Sequence, residues 1–222
     1  MYKTPEYKFW NNSKIVKEFS ETKVSPYWIY FLEDFKKPSS YKVLDLGCGG
    51  GRNTEFLVKS GFDTWACDFY SLMLKTTKKK IASLIGVKET NRRIIQASMF
   101  ELPFKKEYFN IVIANGVYHN TNSIEEFVSA IKETARVLKK GGFLCLNVFY
   151  KGIVVPEFKK IESNKNTFIT HEGLHMTLIK RAEILKILAS SNIFPWKNIL
   201  SYKRNVNTGA RSVFRGVFKK VT

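Results

Sequence analysis

The amino-acid sequence predicts an α/β fold: a doubly wound, mostly parallel, seven-stranded sheet with an antiparallel hairpin at its C-terminal end. Three observations predict it. Short apolar strands alternate with helix-length amphipathic runs between Tyr41 and Phe149. A glycine-rich turn, Gly47-Cys48-Gly49-Gly50-Gly51, directly follows the first buried strand. Two strand-like segments joined by the turn-forming run Asn207-Thr208-Gly209 close the sequence.

Residues 1–38 read as helical pieces. Phe19, Trp28, Ile29, Phe31 and Leu32 recur at helical spacing, with a break at Ser25-Pro26. After Pro38-Ser39-Ser40, Lys42 to Leu46 reads as a strand and Arg52 to Ser60 as a helix stopped by Gly61. A strand from Phe62 to Cys67, a helix from Ser71 to Leu84 and a strand from Arg93 to Ala97 follow. Tyr108 to Ala114 is a buried strand, Ile124 to Leu138 an amphipathic helix ended by Gly141-Gly142, and Phe143 to Phe149 another strand. Strands separated by helices of this length build a parallel sheet covered on both faces. Tyr150 to Met176 reads as irregular, and residues 150–179 as a lid-like insertion. A helix from Lys180 to Ala189 then precedes strands from Ile199 to Val206 and Val213 to Lys219. The expected organisation is one domain over 1–222: a helical cover (1–38), a binding core (39–149), the insertion (150–179) and a C-terminal helix with hairpin (180–222).

Composition narrows the class. With 222 residues, 44% hydrophobic and 14% aromatic, the chain carries enough apolar surface for a sizeable core. No apolar run approaches the roughly 20 residues that span a bilayer, so membrane insertion is not expected. Met1 to Trp10 has no signal-peptide hydrophobic region. The three cysteines, Cys48, Cys67 and Cys145, form no Cys-x-x-Cys pair, which points to reduced thiols and a cytoplasmic location. A net charge of +18 raises nucleic acid as a partner, but the lysines are dispersed and outnumber the arginines that read phosphates bidentately. A lysine-rich solvated surface accounts for that pattern, with an acidic or phosphorylated partner as the alternative. Nothing in the sequence signals an oligomeric state.

The glycine turn carries the binding prediction. A strand-to-helix turn of an α/β sheet aims backbone N–H groups at the crevice where ligands bind, and glycine reaches the conformations needed there. Asp45 sits at the strand end beside that crevice. Asp68, closing the next strand about 20 residues later, suits a carboxylate that accepts both ribose hydroxyls. The spacing Gly47-x-Gly49-x-Gly51 departs from the G-x-G-x-x-G of nicotinamide dinucleotide sites.

Val43-Leu44-Asp45-Leu46-Gly47-Cys48-Gly49-Gly50-Gly51-Arg52-Asn53 resembles the first motif of class I S-adenosylmethionine (AdoMet)-dependent methyltransferases. Its Gly51-Arg52-Asn53 ending is similar to the tellurite-resistance-type, type-11 branch and to other small-molecule enzymes. The resemblance spans roughly Tyr41 to Phe149, and more loosely reaches Phe194. It implies a Rossmann-like fold and AdoMet as cofactor. Ile94 to Phe104 resembles the adenine-lining segment, with Ser98 where the family usually has Asp, so Ser98 or backbone must meet the adenine amino group. Tyr108-Phe109-Asn110-Ile111-Val112 resembles the fourth-strand motif, with Asn110 replacing the usual Asp. Val137 to Leu144 resembles the family's structural turn into the fifth strand. The expected cofactor contacts are Asp45, Gly47, Cys48, Gly49, Gly51, Arg52, Asn53, Asp68, Phe69, Ser98, Met99, Phe100 and Asn115. Tyr7 and Trp10 join them, because an aromatic N-terminal segment in similar families folds over the pocket.

Methyl transfer from a sulfonium is an in-line displacement, accelerated by holding nucleophile and methyl close. A base is needed where the nucleophile carries a proton. His119, just past the fourth strand, is the expected base, since imidazole titrates near about 6.5. Tyr27, Trp28, Tyr118, His171 and His175 are the expected substrate contacts, with Arg211 and Arg215 as partners for an anionic acceptor. His171-Glu172-Gly173-Leu174-His175 satisfies the H-E-x-x-H zinc pattern, yet Gly173 and strand-favouring flanks argue against the one-face helix that zinc requires. No metal is expected. Three functions remain open: methyl transfer to O or N of a small, sugar-like or anionic metabolite; RNA methylation; and AdoMet binding without turnover. Asn115-Gly116-Val117-Tyr118 lacks the Asp/Asn-Pro-Pro-Tyr of base-amino methyltransferases, which disfavours RNA.

Overall fold

The computed structural model describes residues 4–153, 158–162, 164–206 and 209–222. Three short helices lead: α1 (Pro5–Trp10), α2 (Ser13–Glu21) and α3 (Pro26–Leu32). Each starts at a polar side chain that accepts a helix N–H, namely Thr4, Asn12 and Ser25. The core runs β1 (Lys42–Leu46), α4 (Arg52–Lys59), β2 (Asp63–Asp68), α5 (Ser71–Ile85), α6 (Val87–Arg93), β3 (Ile94–Gln96), β4 (Phe109–Asn115), α7 (Ile124–Val137) and β5 (Leu138–Phe149). There follow β6 (Lys159–Ile161), β7 (Asn164–Ile169), β8 (His175–Thr177), α8 (Arg181–Ser190), β9 (Ile193–Val206) and β10 (Gly209–Lys220).

The main sheet has seven strands, as the sequence predicts, and their order is β3-β2-β1-β4-β5-β10-β9. β1 pairs in parallel with both β2 and β4, so the strand order reverses between β1 and β4, where ligands of such sheets bind. β10 runs antiparallel to β5 and to β9. The period-two alternation of the central strands divides the core. Leu44, Val112, Ala114, Leu144 and Leu146 pack with Phe127, Ile131, Ile184 and Leu188 of α7 and α8. Val43, Ile111, Ile113 and Cys145 face the other way, onto Trp28, Phe31 and Leu57 of α3 and α4.

Several details depart from the sequence reading. The stretch expected to be irregular contains a second, three-stranded antiparallel sheet, β6-β7-β8. Val87 to Arg93 is helical, and β9 begins at Ile193, six residues before the expected strand. Asn207 and Thr208 of the predicted hairpin turn lie outside the described residues. Asn110 has a structural job: its Oδ1 accepts the Lys42 N–H at 3.0 Å and Lys139 Nζ at 3.3 Å, tying together the starts of three strands. Among the described residues no helix is long and apolar enough to cross a membrane.

Candidate active site

A cavity of about 620 Å³ lies at the C-terminal ends of β1, β2, β3 and β4, within the range usual for ligand pockets. Its floor is the turn from Leu46 to Gly50 together with Arg52 and Asn53. Two glycines are required for packing. Gly47 has φ +66°, and a Cβ there would lie 2.5 Å from Val117 Cγ2 in the cavity wall. A Cβ on Gly50 would lie 2.6 Å from Ser20 Cα, so the turn also seats α2 of the N-terminal cover. Trp10 and Phe19 bring that cover into the cavity lining.

Asp68 closes β2 in the cavity wall. Its Oδ2 accepts the Gly49 N–H at 2.8 Å and its Oδ1 the Tyr70 N–H at 3.0 Å. A carboxylate has about four acceptor sites, so capacity remains for two ligand hydroxyls. Burial pushes the Asp68 pKa up, against the lowering effect of the Tyr70, Gly49 and Phe69 backbone bonds. Asn53 Oδ1 is buried at the cavity wall with no donor, an acceptor that a ligand amine would complete. Phe69, Ser98, Met99 and Phe100 form the neighbouring wall. Ser98 Oγ accepts the Phe100 N–H at 3.2 Å, which fixes that bend. Carboxylate, orphan acceptor and glycine floor fit AdoMet.

Several expected contacts lie elsewhere. Asp45 is beneath the turn, 1% exposed, where it accepts Thr54 Oγ1 at 2.6 Å, so it braces the loop from below. Gly51 starts α4 and packs against Thr77, outside the cavity. Tyr7 is outside the lining as well. Trp28 is core, its Nε1 donating to Asn115 Oδ1 at 3.3 Å, so it sets a cavity residue from behind. Tyr27 donates its hydroxyl to the Lys197 carbonyl at 3.3 Å. Tyr118 is fully buried and bonded to Thr134 Oγ1 at 2.7 Å. Large aromatic side chains bury more surface in the core than a polar cavity offers, and their polar tips find partners there.

The histidines separate sharply. His119, the expected base, is 4% exposed and outside the cavity lining. Its Nδ1 accepts the Phe149 N–H at 3.2 Å and its ring stacks on Phe149. Burial, then the nearby Arg211 charge, pushes its pKa down to about 3. It is a structural histidine. His171 packs beside Phe158, away from the cavity. His175, by contrast, lines the cavity and meets Glu6. The segment between these two histidines is a turn with Gly173 at φ +81°, so no single helix face presents both.

Neither expected anion partner lines the cavity. Arg211 is buried over the Phe158 ring at 4.3 Å. Arg215 donates to Asn147 Oδ1 at 3.0 Å and Ser25 Oγ at 2.8 Å, behind the wall. The cavity instead holds three carboxylates, Glu6, Asp68 and Glu126, against one guanidinium, Arg52. Its charge is opposite to the +18 of the whole chain.

Sequence reasoning missed Glu6, Phe19, Asn120, Asn122 and Glu126, all of which line the cavity. For the polar loop Asn120 to Asn122 a signal existed: it follows the C-terminal end of a central strand and precedes the helix cap Ser123, the place where these sheets bind ligands. For Glu6 only the helix start Thr4-Pro5 was visible, not the partner.

Comparison with known proteins agrees with this geometry. Residues 44–146 match a methyltransferase domain model. The probable tRNA methyltransferase 9B of Mus musculus is 32% identical over 129 residues, 58% of this chain and 26% of that protein. The demethylmenaquinone methyltransferase of Staphylococcus aureus is 31% identical over 134 residues, 59% of this chain and 52% of that protein. The chain thus spans about a quarter to a half of the length of these curated relatives. Among solved structures, a SAM-dependent methyltransferase from Methanosarcina mazei superposes with TM-score 0.73 at 18% identity, covering 90% of this chain and 99% of the other. The 1,6-didemethyltoxoflavin-N1-methyltransferase of Burkholderia thailandensis, solved with S-adenosylhomocysteine, gives TM-score 0.63 at 15% identity, covering 96% and 81%. Those two share the fold. Matched domain, strand order and relatives converge: residues 44–146 carry a methyltransferase domain, and the cavity beside it fits AdoMet.

Proposed function

We propose that this chain transfers the methyl group of AdoMet to an oxygen or nitrogen of a small polar acceptor. One observation carries the reading: the cavity joins the glycine turn and Asp68 to polar side chains from segments outside the matched domain core, Glu6 and His175 among them. When bound, AdoMet supplies a methyl on a sulfonium, already activated for displacement. Asp68 would hold the ribose, Asn53 a ligand amine, and the wall from Ser98 to Phe100 with Phe69 the base. Asn115, fixed by Trp28, and the loop from Asn120 to Asn122 would orient the acceptor. The carboxylates disfavour an anionic acceptor and favour a neutral or cationic one. Calorimetry with S-adenosylhomocysteine, followed by its release from AdoMet across hydroxyl and amine acceptors, tests the reading. Absence of S-adenosylhomocysteine binding rejects it.

A second reading, an RNA acceptor, draws support from the net charge of +18 and from the likeness to a tRNA methyltransferase. Against it stand the carboxylates inside the cavity, which repel phosphate. Anisotropy with labelled tRNA over a salt series distinguishes the two, because phosphate contacts give a steep salt slope.

A further inference from the structure

Glu6 and His175 come from distant parts of the chain, yet both line the cavity. Glu6 lies in the first turn of α1, which the Thr4 cap and Pro5 start. Its Oε1 sits 2.8 Å from His175 Nδ1 and accepts the His175 backbone N–H at 3.3 Å. Burial raises the Glu6 pKa, but hydrogen bonds from His175, its own backbone and Thr4 outweigh that, and the net shift is downward. The group is therefore a carboxylate near neutral pH.

A carboxylate only accepts, so Nδ1 of His175 must carry the ring proton and the free lone pair sits on Nε2. That is the tautomer an acid–base histidine needs, held by an orienting carboxylate. His119 has the opposite arrangement, because its Nδ1 accepts a backbone N–H and its ring is buried. Tyr70 is another ionisable group near Glu6. Its phenol is pushed up to about 12 by burial, then by Glu6 and Asp68, so it stays neutral and leaves the pair undisturbed.

We propose that His175 is the general base of methyl transfer, that Glu6 is its positioning residue, and that the acceptor is a phenolic or enolic hydroxyl. This rests on the methyl-transfer reading above. The acceptor O–H bond breaks and its proton passes to His175 Nε2. A new O–C bond forms to the methyl carbon, and the S–C bond breaks with its electron pair kept on sulfur, giving S-adenosylhomocysteine. Imidazole suits such a hydroxyl because phenols, with pKa about 10, approach its range, whereas unactivated alcohols lie far above it. The pair also bridges α1 and β8, so the base is complete only when the N-terminal cover is seated against the small sheet.

The test uses the full chain with Glu6→Gln and His175→Asn. Imidazole nitrogen NMR of wild type with S-adenosylhomocysteine bound should show Nδ1–H on His175, and Glu6→Gln should weaken that preference, moving population toward the Nε2–H tautomer. Calorimetry should still detect S-adenosylhomocysteine binding in both variants, so that lost turnover is not loss of the cofactor site. On a panel of phenol, catechol and kojic acid, whose hydroxyls keep their proton near neutral pH, turnover should fall at least about 100-fold in His175→Asn, as for loss of a general base. The proposal is overturned by an unchanged His175 tautomer in Glu6→Gln, or by wild-type turnover in His175→Asn. Binding of S-adenosylhomocysteine with no turnover of any panel hydroxyl overturns the acceptor class alone. Failure of S-adenosylhomocysteine to bind sinks the methyl-transfer reading itself.

Discussion

Gly50→Ala tests whether the N-terminal cover is seated by the glycine turn. Gly50 is not among the glycines with positive φ, so alanine fits the backbone there and the effect isolates packing. The added Cβ would lie 2.6 Å from both Ser20 Cα and Cβ and 2.8 Å from Ser20 N. Ordinary carbon contacts begin near 3.5 Å, so α2 must retreat by about 1 Å. Two of those atoms are backbone, and no rotamer change relieves them. Retreat would also stretch the bond from Lys80 Nζ to the Ser20 carbonyl, now 2.8 Å. Overpacking of this kind costs about 1 to 3 kcal/mol. Because Phe19 of α2 lines the cavity, that cost should appear as weaker S-adenosylhomocysteine binding, about 5- to 150-fold by calorimetry. Hydrogen exchange should show α2 amides less protected, with β1 and β4 unchanged. Binding within twofold of wild type, together with unchanged α2 protection, would refute the argument.

Asp68→Asn replaces an acceptor-only group and turns an amide NH₂ toward the Gly49 or Tyr70 N–H, so S-adenosylhomocysteine affinity should fall at least about tenfold by calorimetry. Asp45 and His119 should give opposite pH dependences of stability. Burial raises the Asp45 pKa from 3.8 to about 6, so the folded chain binds that proton more tightly; the stability this gives is fully present below pH 3.8 and lost as pH rises through 6. His119 is lowered from 6.5 to about 3, so its contribution is present above pH 6.5 and lost as pH falls toward 3. Urea midpoints from pH 4 to 7 for Asp45→Asn and His119→Gln should therefore depart from wild type with opposite slopes, and slopes of one sign would contradict the assignment. Lys220 Nζ donates to the Ala135 and Leu138 carbonyls, both at 2.9 Å, at the end of α7; Lys220→Met should cost about 1 to 3 kcal/mol in urea unfolding.

The sheet and the glycine-turn side of the candidate site were legible because their signals are local. Alternating residues such as Val43 and Leu44 write two faces into adjacent positions, and Gly47, Gly49 and Asp68 sit where strands end. The proposed acceptor half was not legible, for a different physical reason. β6 and β8 are three residues each, too short for a period to register, and their pairing is set by contacts with β7. Glu6 and His175 are 169 positions apart, so only the folded chain joins them. The aromatic and histidine candidates failed through burial: Trp28, Tyr118 and His119 are residue types at home in a pocket or a core, and sequence alone does not separate the two. Arg215 carried a charge that suggested a ligand, yet its guanidinium is spent on Asn147 and Ser25.

On the proposed methyl transfer, the carboxylates of Glu6, Asp68 and Glu126 would bear on the end of the catalytic cycle as well as its start. Methyl transfer removes the sulfonium charge, so the spent nucleoside is one positive charge poorer than the molecule that entered. A cavity of negative fixed charge therefore holds the donor more firmly than the product, although the two differ by a single methyl. Such a bias limits product inhibition without any moving part, and added salt should narrow it.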